Sequence, residues 1–146
     1  MTLSRGEIEA LVPQRGAMCL LDRVVSWDDA GIVCASASHR RPDNPLRARG
    51  RLHAVAGIEY AAQAVALHGA LAARRGRPIG PGWLASLREV ELDAERLDLI
   101  ESELVASAEA LVVEQRHMLY AFRVEGDGRV LLRGRAAIAL VAGTDA

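Results

Sequence analysis

The sequence predicts an α+β fold in a single domain, residues 1–146: an antiparallel sheet of about six strands wrapped round one long central helix. Three observations carry that expectation. One segment, His53 to Arg75, has no strand character and holds nine alanines, the strongest helix formers. It is apolar nearly all round, so it belongs inside the protein rather than on its surface. The second half of the chain, by contrast, is mostly strand-like, with alternating apolar residues and strong turn signals.

Taken in order, Ser4 and Glu7 have the spacing of a capping box, and a short helix from about Arg5 to Val12 should follow, stopped by Pro13. Ala17 to Trp27 reads as a strand, Asp28, Asp29 and Gly31 turn the chain, and Ile32 to His39 is its hairpin partner. Arg40 to Arg51 breaks every pattern with two prolines, Asp43, Asn44, Gly50 and five arginines, so it is a loop. The helix that follows, about 30 Å long at 1.5 Å per residue, should end at Gly76 and Pro78 after Arg74 and Arg75. Strands are expected at Trp83–Leu92, Leu99–Glu114 and His117–Val124. Leu99–Glu114, whose alanines and glutamates also suit a helix, is set by context, and His117–Val124 by Met118, Tyr120, Phe122 and Val124 on one face. Glu125-Gly126-Asp127-Gly128 makes a hairpin turn, and Val130, Leu132, Ala136, Ile138 and Leu140 line one face of the final strand.

Composition narrows the function. The chain is 51% hydrophobic and 25% charged, enough for a core, yet only 3% aromatic and rich in alanine, with 26 of them. A core so poor in large side chains gains from burial against a partner subunit. Eighteen basic residues stand against nineteen acidic, which argues against general nucleic-acid binding. All the basic residues are arginine, so a Schiff-base lysine is excluded. Cys19 and Cys34 have neither CxxC spacing nor a histidine pair, and no metal or redox cofactor is expected. The apolar stretch Ala54–Ala73 is broken by Glu59, Gln63 and His68, which a membrane span tolerates poorly, and residues 1–11 show no apolar signal region. The expectation is a soluble, cytoplasmic protein.

Polarity inside the apolar helix is the chemical signal. A buried carboxylate at Glu59 must find donors, shift its pKa upward or face a cavity. Gln63, four residues on, shares its face and can hydrogen-bond it. His53 starts the helix, about 120° round the axis from Glu59 at 3.6 residues per turn, so the two need not meet within one subunit but can do so across a dimer. His53 also reads as a helix cap, and His68 as a core or interface residue. His39 and His117 have no partner at useful spacing. Arg40, Arg41, Arg47, Arg49 and Arg51 crowd the loop beside a helix N-terminus, a setting that suits phosphate as well as it suits plain solvent.

Two motifs carry a family resemblance. Leu11-Val12-Pro13-Gln14-Arg15 followed by Met18-Cys19-Leu20-Leu21-Asp22-Arg23-Val24 resembles the opening of the hotdog-fold 3-hydroxyacyl-[acyl-carrier-protein] dehydratases. Gly57-Ile58-Glu59-Tyr60-Ala61-Ala62-Gln63-Ala64 is similar to their central helix, and most of all to that of a divergent, aryl-polyene-type branch. The resemblance implies a hotdog fold, a homodimer with sites at the subunit interface, and a carrier-protein partner bearing a phosphopantetheine-linked substrate of fatty acid or polyene biosynthesis. It implies elimination of water from a 3-hydroxyacyl thioester, with Glu59 as the acid. The family's histidine falls near Pro45 here, where there is none, and Gln14 replaces the histidine of the opening motif. His53, in place of a proline before the helix, is the candidate base. Gln63 would orient Glu59, and Gln63 together with backbone N–H groups around Ala54 to Gly57 would bind substrate. Arg47, Arg49 and Arg51 would hold the carrier's phosphate. The rival expectations are an acyl thioesterase and an inactive subunit that binds acyl groups or the carrier.

Overall fold

The computed structural model describes residues 2–75, 82–114 and 116–140. Its first helix, α1 (Arg5–Glu9), starts from a closed capping box: Glu7 N–H donates to the Ser4 hydroxyl and Ser4 N–H to the Glu7 carboxylate. The first two strands, β1 (Arg23–Asp28) and β2 (Gly31–Ser36), form a hairpin whose corner is tied by Asp28 Oδ1 accepting from Ala30 and Gly31 N–H. The long helix α2 (Gly57–Arg74) follows a 3-10 turn at Ala54–Ala56. Four strands complete the chain: β3 (Gly82–Leu92), β4 (Leu104–Val113), β5 (His117–Gly126) and β6 (Arg129–Leu140). Gly76 and Pro78, the expected stop of α2, lie outside the described residues.

All six strands form one antiparallel sheet in the order β1-β2-β4-β5-β6-β3. Helix α2 packs on β2, β4 and β5. The sheet gathers Ile32, Cys34, Leu104, Met118, Tyr120, Phe122 and Val124 against Tyr60, Ala64, Leu67 and Leu71 of the helix. This is the expected α+β class, with the helix in the hollow of the sheet. One edge is partly covered, because Leu3 exchanges main-chain hydrogen bonds with Val24 of β1. The other edge is β3, eleven residues long, with Leu84, Leu87 and Leu92 exposed and no described strand beyond it.

The structure moves several expected boundaries. Of the Ala17–Trp27 segment only Arg23 onward is strand; Gly16–Met18 is a 3-10 turn. The missing ladder bonds are supplied by side chains. Leu20 C=O accepts from the Ser36 and Ser38 hydroxyls, and Leu20 N–H and Met18 C=O bind Gln63. In the Leu99–Glu114 segment, residues before Leu104 are a turn, with Glu101 and Ser102 N–H held by the Asp127 carboxylate.

In β6, Val124 pairs with Leu132 and Glu125 with Val130, so Leu131 is an unpaired bulge. Leu131 and Leu132 are therefore both buried, and Val130, expected on the inner face, is only half-buried. The hairpin before it turns on Asp127 and Gly128, at φ 50° and 75°, as an Asp-Gly type I′ turn requires.

Candidate active site

The candidate site lies at the N-terminal end of α2, where three segments converge. From one side comes the stretch before β1. Gln63, 2% exposed, donates through Nε2 to Met18 C=O (2.9 Å), and its Oε1 accepts Leu20 N–H (3.0 Å). The same Nε2 lies 3.3 Å from Glu59 Oε1. Glu59 is half-buried on the less covered face of the helix, above Ala62 and Ala66. An ionised Glu59 thus has one protein donor and partial access to solvent.

On the second side is the arginine loop, which is ordered by its own polar groups. Asn44, 5% exposed, donates to Ser38 C=O and to the Tyr60 hydroxyl, while its Oδ1 accepts Leu46 N–H. Tyr60 and Ser38 share a 2.7 Å hydrogen bond, and burial pushes the Tyr60 phenol up despite these partners. Arg41 and Arg5 both pair with Asp22, at 3.1 and 3.2 Å. Asp22, from the opening motif, therefore ties the loop to α1. None of these pairings was legible in the sequence, because each spans six to twenty-two residues with no periodic signature.

The loop arginines divide into two kinds. Arg47, expected to hold phosphate, instead spends its guanidinium on main-chain carbonyls of Arg41, Gly50 and His39. It is the clamp inside the loop. Arg40 likewise donates to Glu101 C=O. Arg49 and Arg51 are exposed and bond no other described side chain. Arg49 is the first residue of a two-residue turn and Arg51 closes it: Ala48 and Arg51 exchange main-chain bonds of 2.9 and 3.0 Å, with Arg49 and Gly50 at φ 55° and 73°.

The third side is the segment before β4, which brackets His53. Leu52 N–H donates to Asp98 Oδ1 (3.0 Å), Leu97 N–H to Leu52 C=O (2.8 Å) and Ala54 N–H to Glu95 C=O (2.9 Å). Asp98 also binds Arg96, which with the Leu52 N–H holds its carboxyl well below the usual carboxylate range. His53 itself is exposed, and its Nδ1 accepts Val55 N–H at 3.0 Å. It is a helix cap, one of the two roles its position allowed.

The N–H groups expected to polarise a carbonyl are mostly committed elsewhere. Ala54 N–H goes to Glu95, Ala56 N–H to His53 C=O, and Gly57 N–H to Ala54 and Val55 C=O. The 3-10 turn takes up donors that an α-helix leaves free at its first turn. Gly57 also has a packing reason to be glycine: a Cβ there would stand 2.3 Å from Leu132 Cδ2. The remaining histidines have partners. His39 is buried and bonds Ile100 C=O at 2.9 Å, and His117 pairs with Glu114 at 2.8 Å, both contrary to expectation. His68, fully buried, bonds the Tyr120 hydroxyl and Asp28 C=O, as a core residue. Among the described residues no three His, Cys, Asp or Glu side chains stand together as metal ligands would. No described helix is long and apolar enough to cross a membrane.

A six-stranded antiparallel sheet holding one long helix, with a carboxylate on the helix's open face, defines the hotdog class. Residues 6–143 match the ApeP-like family, described as ApeP dehydratase, and the chain belongs to that family. Among solved structures, the dehydratase heterocomplex ApeI:P from Xenorhabdus doucetiae matches at TM-score 0.80 and 20% identity, over 94% of this chain and 92% of that one. Thioesterase HI1161 from Haemophilus influenzae matches at TM-score 0.67 and 11% identity, over 97% and 93%. AziG of S. sahachiroi matches at 0.63 and 18%, over 90% and 98%. At such identities the likeness speaks for the fold alone. No curated protein sequence matches the chain significantly.

Proposed function

We propose that this chain takes part in dehydrating a 3-hydroxyacyl thioester, borne on the phosphopantetheine of an acyl-carrier protein, to the 2-enoyl thioester. The observation that carries the reading is Glu59: the one carboxylate of a largely apolar helix, held by Gln63 and still partly open. Protonated, it delivers a proton to the departing hydroxyl; His53 takes the proton next to the carbonyl. Membership of a dehydratase family supports the same reaction.

The acid and base need to face one substrate; both belong to the N-terminal end of α2, Glu59 half-buried and His53 exposed, about 120° apart round the axis. A second hotdog subunit joined along the β3 edge would let the two meet across the interface. This partner is either a second copy or a related chain; the latter is favoured by the relative described as a dehydratase heterocomplex. Arg49 and Arg51, the loop arginines left free, are the contacts for the carrier's phosphate. Thioester hydrolysis is the second reading, supported by the likeness to HI1161.

Incubation of the dimer with a 3-hydroxyacyl-carrier thioester separates these. Enoyl product supports dehydration and free thiol supports hydrolysis. Neither product, with or without a related partner chain, assigns this chain a binding role and rejects the proposal.

A further inference from the structure

The arginine loop and the candidate acid belong to one hydrogen-bonded circuit. Two hydrogen bonds run from the loop to α2, and both end on the hydroxyl of Tyr60, the residue next to Glu59. Asn44 Nδ2 donates to it at 3.0 Å, and Ser38 Oγ lies 2.7 Å away. Ser38 spends its own proton on Leu20 C=O, so Tyr60 donates to Ser38. Leu20 N–H in turn donates to Gln63 Oε1, and Gln63 Nε2 to Glu59 Oε1. The carboxylate of Glu59 and its main chain are thus tied to the same buried serine, the first through Gln63 and Leu20, the second through Tyr60.

The loop itself is stiff. The Asn44 side chain also binds Ser38 C=O and Leu46 N–H, and its main chain bonds Arg41 C=O and Arg47 N–H. Arg47 then bridges the carbonyls of His39 and Arg41 to that of Gly50, which lies in the turn between the exposed Arg49 and Arg51. Tyr60, Ser38 and Asn44 are all buried, so each bond that joins them is costly to leave unmade. Elimination gives these three side chains no chemical task, yet together they fix the distance from the arginine turn to Glu59.

We infer that Tyr60, Ser38 and Asn44 are positioning residues: they hold the arginine turn at a set reach from Glu59, so that a substrate with its phosphate on Arg49 and Arg51 has its hydroxyl at the acid. The inference rests on the dehydratase reading above and adds to it what selects a phosphate-bearing arm over a bare thioester. A substrate gripped at two points gains from both only when the distance between the grips is fixed in advance. Binding energy from the phosphate, remote from the reacting bond, then goes into orienting the hydroxyl. With the turn free to swing, the phosphate adds little to binding or to rate.

The test uses the assembly of the assay above and two 3-hydroxybutyryl thioesters, of pantetheine and of 4′-phosphopantetheine, which differ only in the phosphate. The parent should prefer the phosphorylated one in kcat/KM, and replacing Arg49 and Arg51 together by alanine should abolish the preference. Tyr60→Phe removes one hydroxyl and keeps the ring in the core. It should bring the preference down toward one, a loss of roughly tenfold or more. The readout is a ratio on one preparation, so a partly unfolded sample does not move it. Asn44→Ala should do the same from the other end of the bond, and the double variant should cost no more than either alone. A parent that does not distinguish the two thioesters overturns the inference. So does a Tyr60→Phe preference equal to the parent's while both rates and Tm fall, the mark of a purely structural network. The dehydratase reading fails separately, when neither thioester yields enoyl product. The ratio of dissociation constants for the two corresponding amides then decides the inference: a smaller ratio in Tyr60→Phe supports it, and an unchanged one overturns it.

Discussion

The Gln63 side-chain amide donates to the Glu59 carboxylate across 3.3 Å, one helical turn away, while its oxygen holds Leu20 N–H at 3.0 Å. The residue thus links the orientation of the candidate acid to the stretch that leads into β1. An unpaired Leu20 N–H or Met18 C=O in that buried setting would cost about 1–3 kcal/mol each.

Gln63→Leu should therefore destabilise the fold by roughly that amount per group left unsatisfied. It should also lower activity by freeing the Glu59 rotamer. Denaturant midpoints and steady-state rates together check it. An unchanged midpoint would show that water replaces the amide without penalty.

Glu59→Gln keeps the shape and the bond to Gln63 but removes the transferable proton. Elimination should fall by about 10²–10⁴-fold, the range for loss of a general acid, with thermal stability close to the parent. Enoyl formation followed by its ultraviolet absorbance reads the first and a melting curve the second. Full activity in this variant would remove Glu59 from the chemistry.

Gly57→Ala tests packing rather than catalysis. Its Cβ would stand 2.3 Å from Cδ2, 3.2 Å from Cδ1 and 3.3 Å from Cγ of Leu132, a fully buried residue with little room to yield. Overpacking of this kind costs about 1–3 kcal/mol. A melting temperature equal to the parent would mean that Leu132 can repack.

Asp98→Asn should loosen the bracket round His53. Because Arg96 and the Leu52 N–H depress the carboxyl's pKa in the folded protein, the ionised form stabilises the fold above the unfolded carboxylate value, about 3.9. That contribution is lost as pH falls below it. The parent should accordingly exceed Asp98→Asn in stability at neutral pH, and the gap should close under strong acid. Urea titrations at pH 7 and pH 3 measure its onset: the gap should be narrower at pH 3, where the loss has begun, and a gap that widens in acid would reverse the assignment.

The exposed edge of β3 predicts assembly. Leu87→Lys places a charge among the exposed apolar side chains of the edge strand β3 and should shift the protein toward monomer in sedimentation. If the site is shared between subunits, activity should fall in step with dimer content. A variant still dimeric at micromolar concentration would place the interface elsewhere.

Much of the fold was legible because it rests on local pattern. The alanine-rich run from His53 could only be an enclosed helix, and Asp127-Gly128 could only be a tight turn. The alternation from Met118 to Val124 fixed the inner face of β5. Errors came where side chains replaced a ladder, as at Met18 to Leu20, or where a bulge shifted the alternation, as at Leu131. In the site, the Glu59–Gln63 pair was readable as an i, i+4 spacing. The bracket of Leu52, Glu95 and Asp98 was not, since its partners lie about forty residues apart.

Taken alone, the sequence determined the class of fold, the central helix, its one carboxylate and the amide that faces it, because those follow from periodicity over a few residues. Only the tertiary structure decided that Arg47 is a loop clamp and that Gly57 is needed for packing. The first depends on which carbonyls the folded loop leaves without a partner and the second on Leu132 arriving from β6, and no local pattern records either.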